Sequence, residues 1–127
     1  MTALLLTITL LAPGDDPADS DPRAELKTAI AYALDLLEKE DYQQFIQQMA
    51  HPEDLKSTLA ARKLDELVRS FSKEKGAVTL TVFKRIQSAD PQLSDDGRRA
   101  VFTADVPGFS PKKLTFSRVD GLWYLRN

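Results

Sequence analysis

Residues 114–119 and 122–126 flank the dipeptide Asp120-Gly121, and this stretch constrains the fold more than any other. Asp-Gly supplies the two positive φ angles that a two-residue type I′ turn needs, so the flanking runs are predicted to pair as a tight β-hairpin. In that register Val119 faces Leu122, Arg118 faces Trp123, Ser117 faces Tyr124 and Phe116 faces Leu125. Leu114, Phe116, Trp123 and Leu125 then share one side of the sheet, and so large an apolar face has to be covered.

The cover is expected from the first half of the chain. Asp21-Pro22 offers an N-cap followed by a first-turn proline, and Leu26, Ile30, Ala33, Leu34 and Leu37 recur at helical spacing to about Lys39. After a sharp corner near Glu40, Asp41 can cap a second, shorter helix, with Gln44 completing a capping-box-like pair. Tyr42, Phe45, Ile46 and Met49 form the apolar side of that helix. His51-Pro52 opens a further helical turn. From about Ser57 the stripe Ala60, Leu64, Leu67, Val68 and Phe71 predicts another amphipathic helix, which Gly76 is expected to stop after Lys73 and Lys75.

Beyond Gly76 the apolar period reads as two. Val78, Leu80, Val82 and Ile86 alternate with Thr79, Thr81, Phe83 and Arg85, which predicts a strand. Residues 89–97 read as a turn-rich loop, 99–106 as a second strand, and 107–111 as the return into the final hairpin. Four strands in succession imply an antiparallel meander. The expected class is therefore α+β, with N-terminal helices packed on a curved, mainly four-stranded antiparallel sheet.

A chain of 127 residues with 43% hydrophobic content can build one core and not two, so residues 22–127 are expected to form a single domain. The apolar run at 3–12, followed by Pro13-Gly14, resembles a secretory signal peptide and its junction, although Met1-Thr2 lacks the usual basic residue. Residues 1–12 are accordingly read as a signal segment and 13–21 as a flexible acidic linker. A buried N-terminal strand or helix, or a misassigned start, are the alternatives. The run is too short for a stable membrane span. With no cysteine in the chain, neither a disulfide nor bacterial lipid attachment is available. A periplasmic or secreted location is expected if the segment is cleaved, and a cytoplasmic one otherwise.

A formal net charge of −2 argues against bulk attraction to nucleic acid, which is not expected as a partner. Residues 1–75 carry 9 Lys+Arg against 14 Asp+Glu, whereas 76–127 carry 8 against 5. Complementary halves packing together would account for this asymmetry, as would a basic sheet surface for an anionic partner. The pairs Lys84-Arg85, Arg98-Arg99 and Lys112-Lys113 put at most one charge each on a given strand face.

The long first helix, the corner and aromatic helix at 40–45 and the closing Asp120-Gly121-Leu122-Trp123-Tyr124-Leu125 together resemble the nuclear transport factor 2-like, or SnoaL-like, superfamily with its cone-shaped cystatin-like sheet. The nearest flavour is its small exported bacterial domains of unknown function. That resemblance covers roughly residues 23–127 and implies a cavity inside a cone. It does not imply one reaction, because the superfamily contains isomerases and dehydratases beside noncatalytic ligand-binding and dimerising domains. The chain departs from the pattern in lacking a convincing strand between the helices, which implies a smaller sheet and a shallower cavity.

His51, the only histidine, and Asp105, placed within an apolar strand, are the candidate acid-base residues. A carboxyl held in an apolar cone can act as a general base, the ketosteroid isomerase pattern, but Asp105 also suits a solvated strand end and His51 a helix cap. Tyr32, Tyr42, Phe45, Phe71, Phe83, Phe116 and Trp123 are candidate pocket-lining residues, each equally suited to the core. Arg118 is expected either to stack on Trp123 or to bind an anion inside the cone. One histidine and no cysteine leave no metal-ligand pattern, and no cofactor motif is present. The reading favoured by these features is a noncatalytic ligand-binding or protein-interaction module. The alternatives are a SnoaL-like small-molecule isomerase or dehydratase and a structural dimerisation domain. The partners expected are a small apolar or anionic ligand, or a second copy of the chain joined through the sheet.

Overall fold

The computed structural model describes residues 21–110 and 112–126. The predicted signal segment and the linker up to residue 20 lie outside the described residues. A 3-10 turn at Pro22–Ala24 precedes five helices: α1 (Leu26–Glu38), α2 (Tyr42–Met49), α3 (Pro52–Ala61), α4 (Leu64–Glu74) and α5 (Gly76–Ile86). Four strands follow, β1 (Gln92–Ser94), β2 (Arg99–Thr103), β3 (Lys113–Val119) and β4 (Leu122–Arg126), in one antiparallel sheet ordered as they occur in the chain. The class is α+β, with helices preceding and contacting a four-stranded antiparallel sheet.

The closing hairpin has the register its turn dictates. Val119 pairs with Leu122, Arg118 with Trp123, Ser117 with Tyr124 and Phe116 with Leu125, while Asp120 and Gly121 take φ values of 52° and 82°. Phe116 and Trp123 are buried, as an apolar inner face requires. β2 pairs Ala100 with Phe116 and Phe102 with Leu114, which adds two buried residues to the same face.

Two predicted helices are each divided in the structure. The first is interrupted at Glu25, whose backbone is extended. Asp21 caps the short turn by accepting from the Arg23 amide at 2.9 Å, and Arg23 Nη1 donates to the Gln48 carbonyl at 2.8 Å. That long-range tie holds the turn off the axis of α1. The helix expected from Ser57 to Gly76 is broken at Arg62-Lys63, both extended, so that α3 and α4 are separate. The corner at Glu40 is as expected: Glu40 adopts φ 58°, its amide donates to the Leu37 carbonyl and the Asp41 amide to that of Leu36. These are the paired hydrogen bonds of a Schellman motif with glutamate in the left-handed position. Asp41 then caps α2 by accepting from the Gln44 amide at 3.3 Å.

The predicted strand over 78–86 is helix α5, and this is the largest departure from the sequence reading. Val78, Val82, Phe83 and Ile86 also share a helical face, and Val82, Phe83 and Ile86 are buried on it. The threonines that suggested a strand are accommodated: Thr81 Oγ1 donates to the Ala77 carbonyl one turn back at 3.2 Å. Gly76 does not stop a helix before a sheet; it starts α5 at a close approach. A Cβ there would sit 2.7 Å from Tyr42 Oη and 2.9 Å from Tyr42 Cζ. The meander still has four strands because Gln92–Ser94, within the segment read as a loop, pairs with β2 through Gln92↔Val101 and Ser94↔Arg99. The second strand ends at Thr103, short of the predicted 106.

The core is an edge-to-face series of phenylalanines running from the helices into the sheet. Phe45 meets Phe83 at 5.7 Å, Phe83 meets Phe116 at 6.1 Å and Phe116 meets Phe102 at 5.8 Å between ring centroids, with interplanar angles of 84°, 81° and 82°. Such pairs contribute about 0.5–1.5 kcal/mol each beyond the area they bury. α1 closes the core with Ala29, Ile30, Ala33, Leu36 and Leu37. Among the described residues no helix is long and apolar enough to cross a membrane.

Candidate functional site

The series of aromatic rings ends in a cleft of about 540 Å³ between the helices and one end of the sheet. That volume lies within the range of about 300–1,000 Å³ usual for small-molecule sites. Phe45 and Ile46 of α2, Phe71 of α4, Val82 and Phe83 of α5 and Leu114 and Leu125 of the sheet supply its apolar lining. Leu55 of α3 and Leu67 of α4 form the outer wall, and Phe109 in the loop between β2 and β3 closes another side. Helical spacing puts Phe45 and Ile46 on the buried side of α2, and the same spacing puts Val82 and Phe83 on that of α5.

His51 stands in the wall of this cleft and is the one buried polar residue among the described residues. Its backbone amide donates to the Leu125 carbonyl at 2.8 Å, beside a parallel bridge between Ala50 and Leu125, so the start of α3 is stitched to β4. Its Nδ1 accepts from the Glu53 amide at 3.2 Å as the N-cap of α3, and its Nε2 lies 2.8 Å from Arg126 Nη1. Arg126 in turn reaches Glu53 Oε1 at 3.6 Å and Asp54 Oδ2 at 3.7 Å. Asp54 Oδ2 is buried without a hydrogen-bond partner. Both ring nitrogens of His51 therefore face donors, an arrangement that holds an element in place and leaves neither nitrogen free for a substrate proton.

Other polar groups are spread around the rim. Arg62 and Lys75 line the cleft at opposite ends of α4, and neither forms an ion pair among the described residues. Their separation gives the rim no convergent cationic clamp. Glu74, Thr58, Ser70 and Thr79 complete it. Among the described residues no group of three or more His, Asp or Glu is placed to hold a metal ion.

The cleft brings together four of the residues singled out from the sequence, namely Phe45, Phe71, Phe83 and His51. Phe116 and Trp123 are buried but lie behind the lining. Tyr32 and Tyr42 are half-buried at the edge of the core, Tyr42 packing on Phe71 at 5.5 Å, and neither lines the cleft. Burial pushes the Tyr42 phenol up from its ordinary value, with Glu40 adding to the shift. Asp105 is outside the cleft: its side chain is 79% exposed and pairs with Lys112 at 3.0 Å. Its carbonyl accepts from Arg85 Nη1 at 3.1 Å, so it is a solvated strand-end residue. Arg118 is exposed and does not line the cleft. The cation-π contact in this part of the molecule is instead Arg23 over Tyr124, 5.3 Å from the ring centroid.

Comparison with protein families, with curated proteins and with solved structures finds no significant match.

Leu114 and Leu125 belong to the apolar hairpin face predicted from the sequence, while Asp54, Leu55 and Phe109 are cleft residues that the sequence reading missed. Leu55 and Leu59 are four apart on one helix, a signal available in the sequence. Nothing local marks Phe109, because the cleft that it lines exists only once α3 and α4 are folded against the sheet end.

Proposed function

We propose that this chain is a noncatalytic ligand-binding module whose cleft takes a small, largely apolar molecule. The observation that carries the proposal is the cleft itself, about 540 Å³ with a lining of four phenylalanines and several aliphatic side chains. Such a lining gains roughly 25 cal/mol for each Å² of apolar surface removed from water, without calling for a matched polar partner. Of the polar side chains in its wall, His51 is tied to the Glu53 amide and to Arg126, which favours holding over chemistry.

The acid-base alternative loses its carboxylate, since Asp105 pairs with Lys112 away from the cleft. For dimerisation through the sheet, the residues on the face opposite Phe116 and Leu125, Thr115, Val119, Leu122 and Tyr124, are half-buried within the chain, and Arg23 already stacks on Tyr124. Relationship to the nuclear transport factor 2-like superfamily is part of the proposal and rests on element order, helices first and a meander closed by the Asp120-Gly121 hairpin. Export is likewise proposed, from the apolar run at 3–12 and the proline and glycine after it.

Titration with the neutral fluorescent probe N-phenyl-1-naphthylamine tests the binding reading. Saturable binding by the native chain, weakened at least about tenfold by Leu55→Asp in the outer wall, is expected. An absence of saturable binding, together with no co-purified small molecule in native mass spectrometry, would remove the proposal.

A further inference from the structure

α3 is attached to the rest of the protein in an unusual way. It buries none of its ten residues, and Leu55 is the one side chain it packs against the core. Leu59, one turn on, is 39% exposed. A helix of that length has little stability of its own in water, so its place depends on how its ends are held. The C-terminal end runs into the extended backbone of Arg62, while the N-terminal end carries every strong tie: the His51 amide to Leu125, the His51 cap and the Arg126 contacts with Glu53 and Asp54.

We propose that α3 is a gate over the cleft, latched at its first turn by neutral His51 and released when that imidazole takes up a proton. This inference rests on the cleft being a binding site and concerns how that site is controlled. A neutral imidazole has one acceptor nitrogen and one N–H, and the imidazolium has two N–H groups and no acceptor. Here Nδ1 faces the Glu53 amide at 3.2 Å and Nε2 faces Arg126 Nη1 at 2.8 Å, both of them donors. The neutral ring can accept from only one of these donors, the Glu53 amide at Nδ1 when Nε2 carries the N–H; adding one proton from solvent removes that last acceptor and turns the cap contact into donor against donor, with no other bond made or broken.

The charged and titratable groups around the ring are Glu53 and Asp54 on α3, and Arg126 and Tyr124 on β4. The Tyr124 ring centroid lies 6.3 Å from that of His51, and Arg23 stands over Tyr124. The two carboxylates give the imidazolium somewhere to turn once it can no longer accept the cap hydrogen bond. That rotation abandons the N-cap. The latch is therefore closed while the ring is neutral and opens when it is protonated.

Amide hydrogen exchange of the full chain at about pH 8 and about pH 5, corrected for intrinsic exchange rates, tests this directly. In the native protein α3 amides are expected to exchange about fivefold faster relative to α1 at the lower pH, the scale of a lost helix cap. N-phenyl-1-naphthylamine should leave the cleft faster by a similar factor. His51→Asn, which keeps a capping oxygen and cannot take up the proton, should make both quantities independent of pH. Equal α3 protection at the two pH values in the native protein, or an unchanged pH response in His51→Asn, would overturn the latch. If the probe binds at neither pH, the binding reading falls, while the exchange data still decide whether α3 opens.

Discussion

The helices divide into two groups by what they bury. α1, α2 and α5 each place residues in the core, ending in the ring series Phe45, Phe83, Phe116 and Phe102. α3 and α4 bury no residue, although Leu64, Leu67, Val68 and Phe71 of α4 pack half-buried against that core. The first group fixes the fold, and the second forms the outer wall of the cleft, with α4 packed on the core by four side chains and α3 by Leu55. The cleft lies at the seam between them, where rigid lining meets a wall of low local stability.

The contrast would break if substitutions in the two groups had similar effects. The largest loss is expected for Phe83→Ala, which empties a fully buried site touching both Phe45 and Phe116. Urea unfolding should show a loss of about 3–5 kcal/mol. Gly76→Ala comes next, at the junction of wall and core, because the added methyl meets the Tyr42 ring at 2.7–2.9 Å. Overpacking of about 1–3 kcal/mol, partly offset by the helix propensity gained, should leave a net loss that Tyr42→Leu relieves in the double variant.

A smaller effect, about 1 kcal/mol at neutral pH, is expected for Asp21→Asn, which weakens the tie of the N-terminal turn to the domain. The hydrogen bond from the Arg23 side chain holds the Asp21 carboxyl below the usual carboxylate range. A depressed folded value means stability that is present above the ordinary carboxylate range and lost as the pH falls through the folded value. The gap between native and Asp21→Asn should therefore narrow on acidification below about pH 4, as followed by thermal unfolding at a series of pH values. Least affected should be Leu59→Ala on the exposed side of α3, within about 0.5 kcal/mol of the native chain. A loss of the size expected for Phe83→Ala at Leu59 would mean that α3 belongs to the core.

Local chemistry was legible where a few adjacent residues carry the whole constraint. Asp120-Gly121 specified its turn and, through it, four cross-strand pairs, and Asp41 specified the start of α2. The corner at Glu40 was legible in position, though not in its left-handed glutamate. Two of the structure's choices were hidden for opposite reasons. Residues 76–86 satisfy a period of two and a helical face equally well, so pattern could not choose between them. Residues 92–94 have no buried position at all, and their strand exists because β2 offers an edge beyond a turn in which Asp95, Asp96 and Gly97 all take positive φ. At the candidate site three of the seven candidate aromatic residues line the cleft, while for Asp105 and Arg118 the sequence left alternative readings open and the structure has both exposed.

By itself the sequence determined that helices come first, that an antiparallel sheet closed by a type I′ hairpin comes last, and that one apolar face must be covered. These follow from φ preferences, caps and periodicity, which act over a few residues. Only the tertiary structure decided that 76–86 is a helix, because burying Val82, Phe83 and Ile86 against Phe45 and Phe116 outweighs the strand preference of the intervening threonines. It likewise decided that His51 is a buried cap rather than a surface one, because the partners that enclose it, Leu125 and Arg126, come from the far end of the chain.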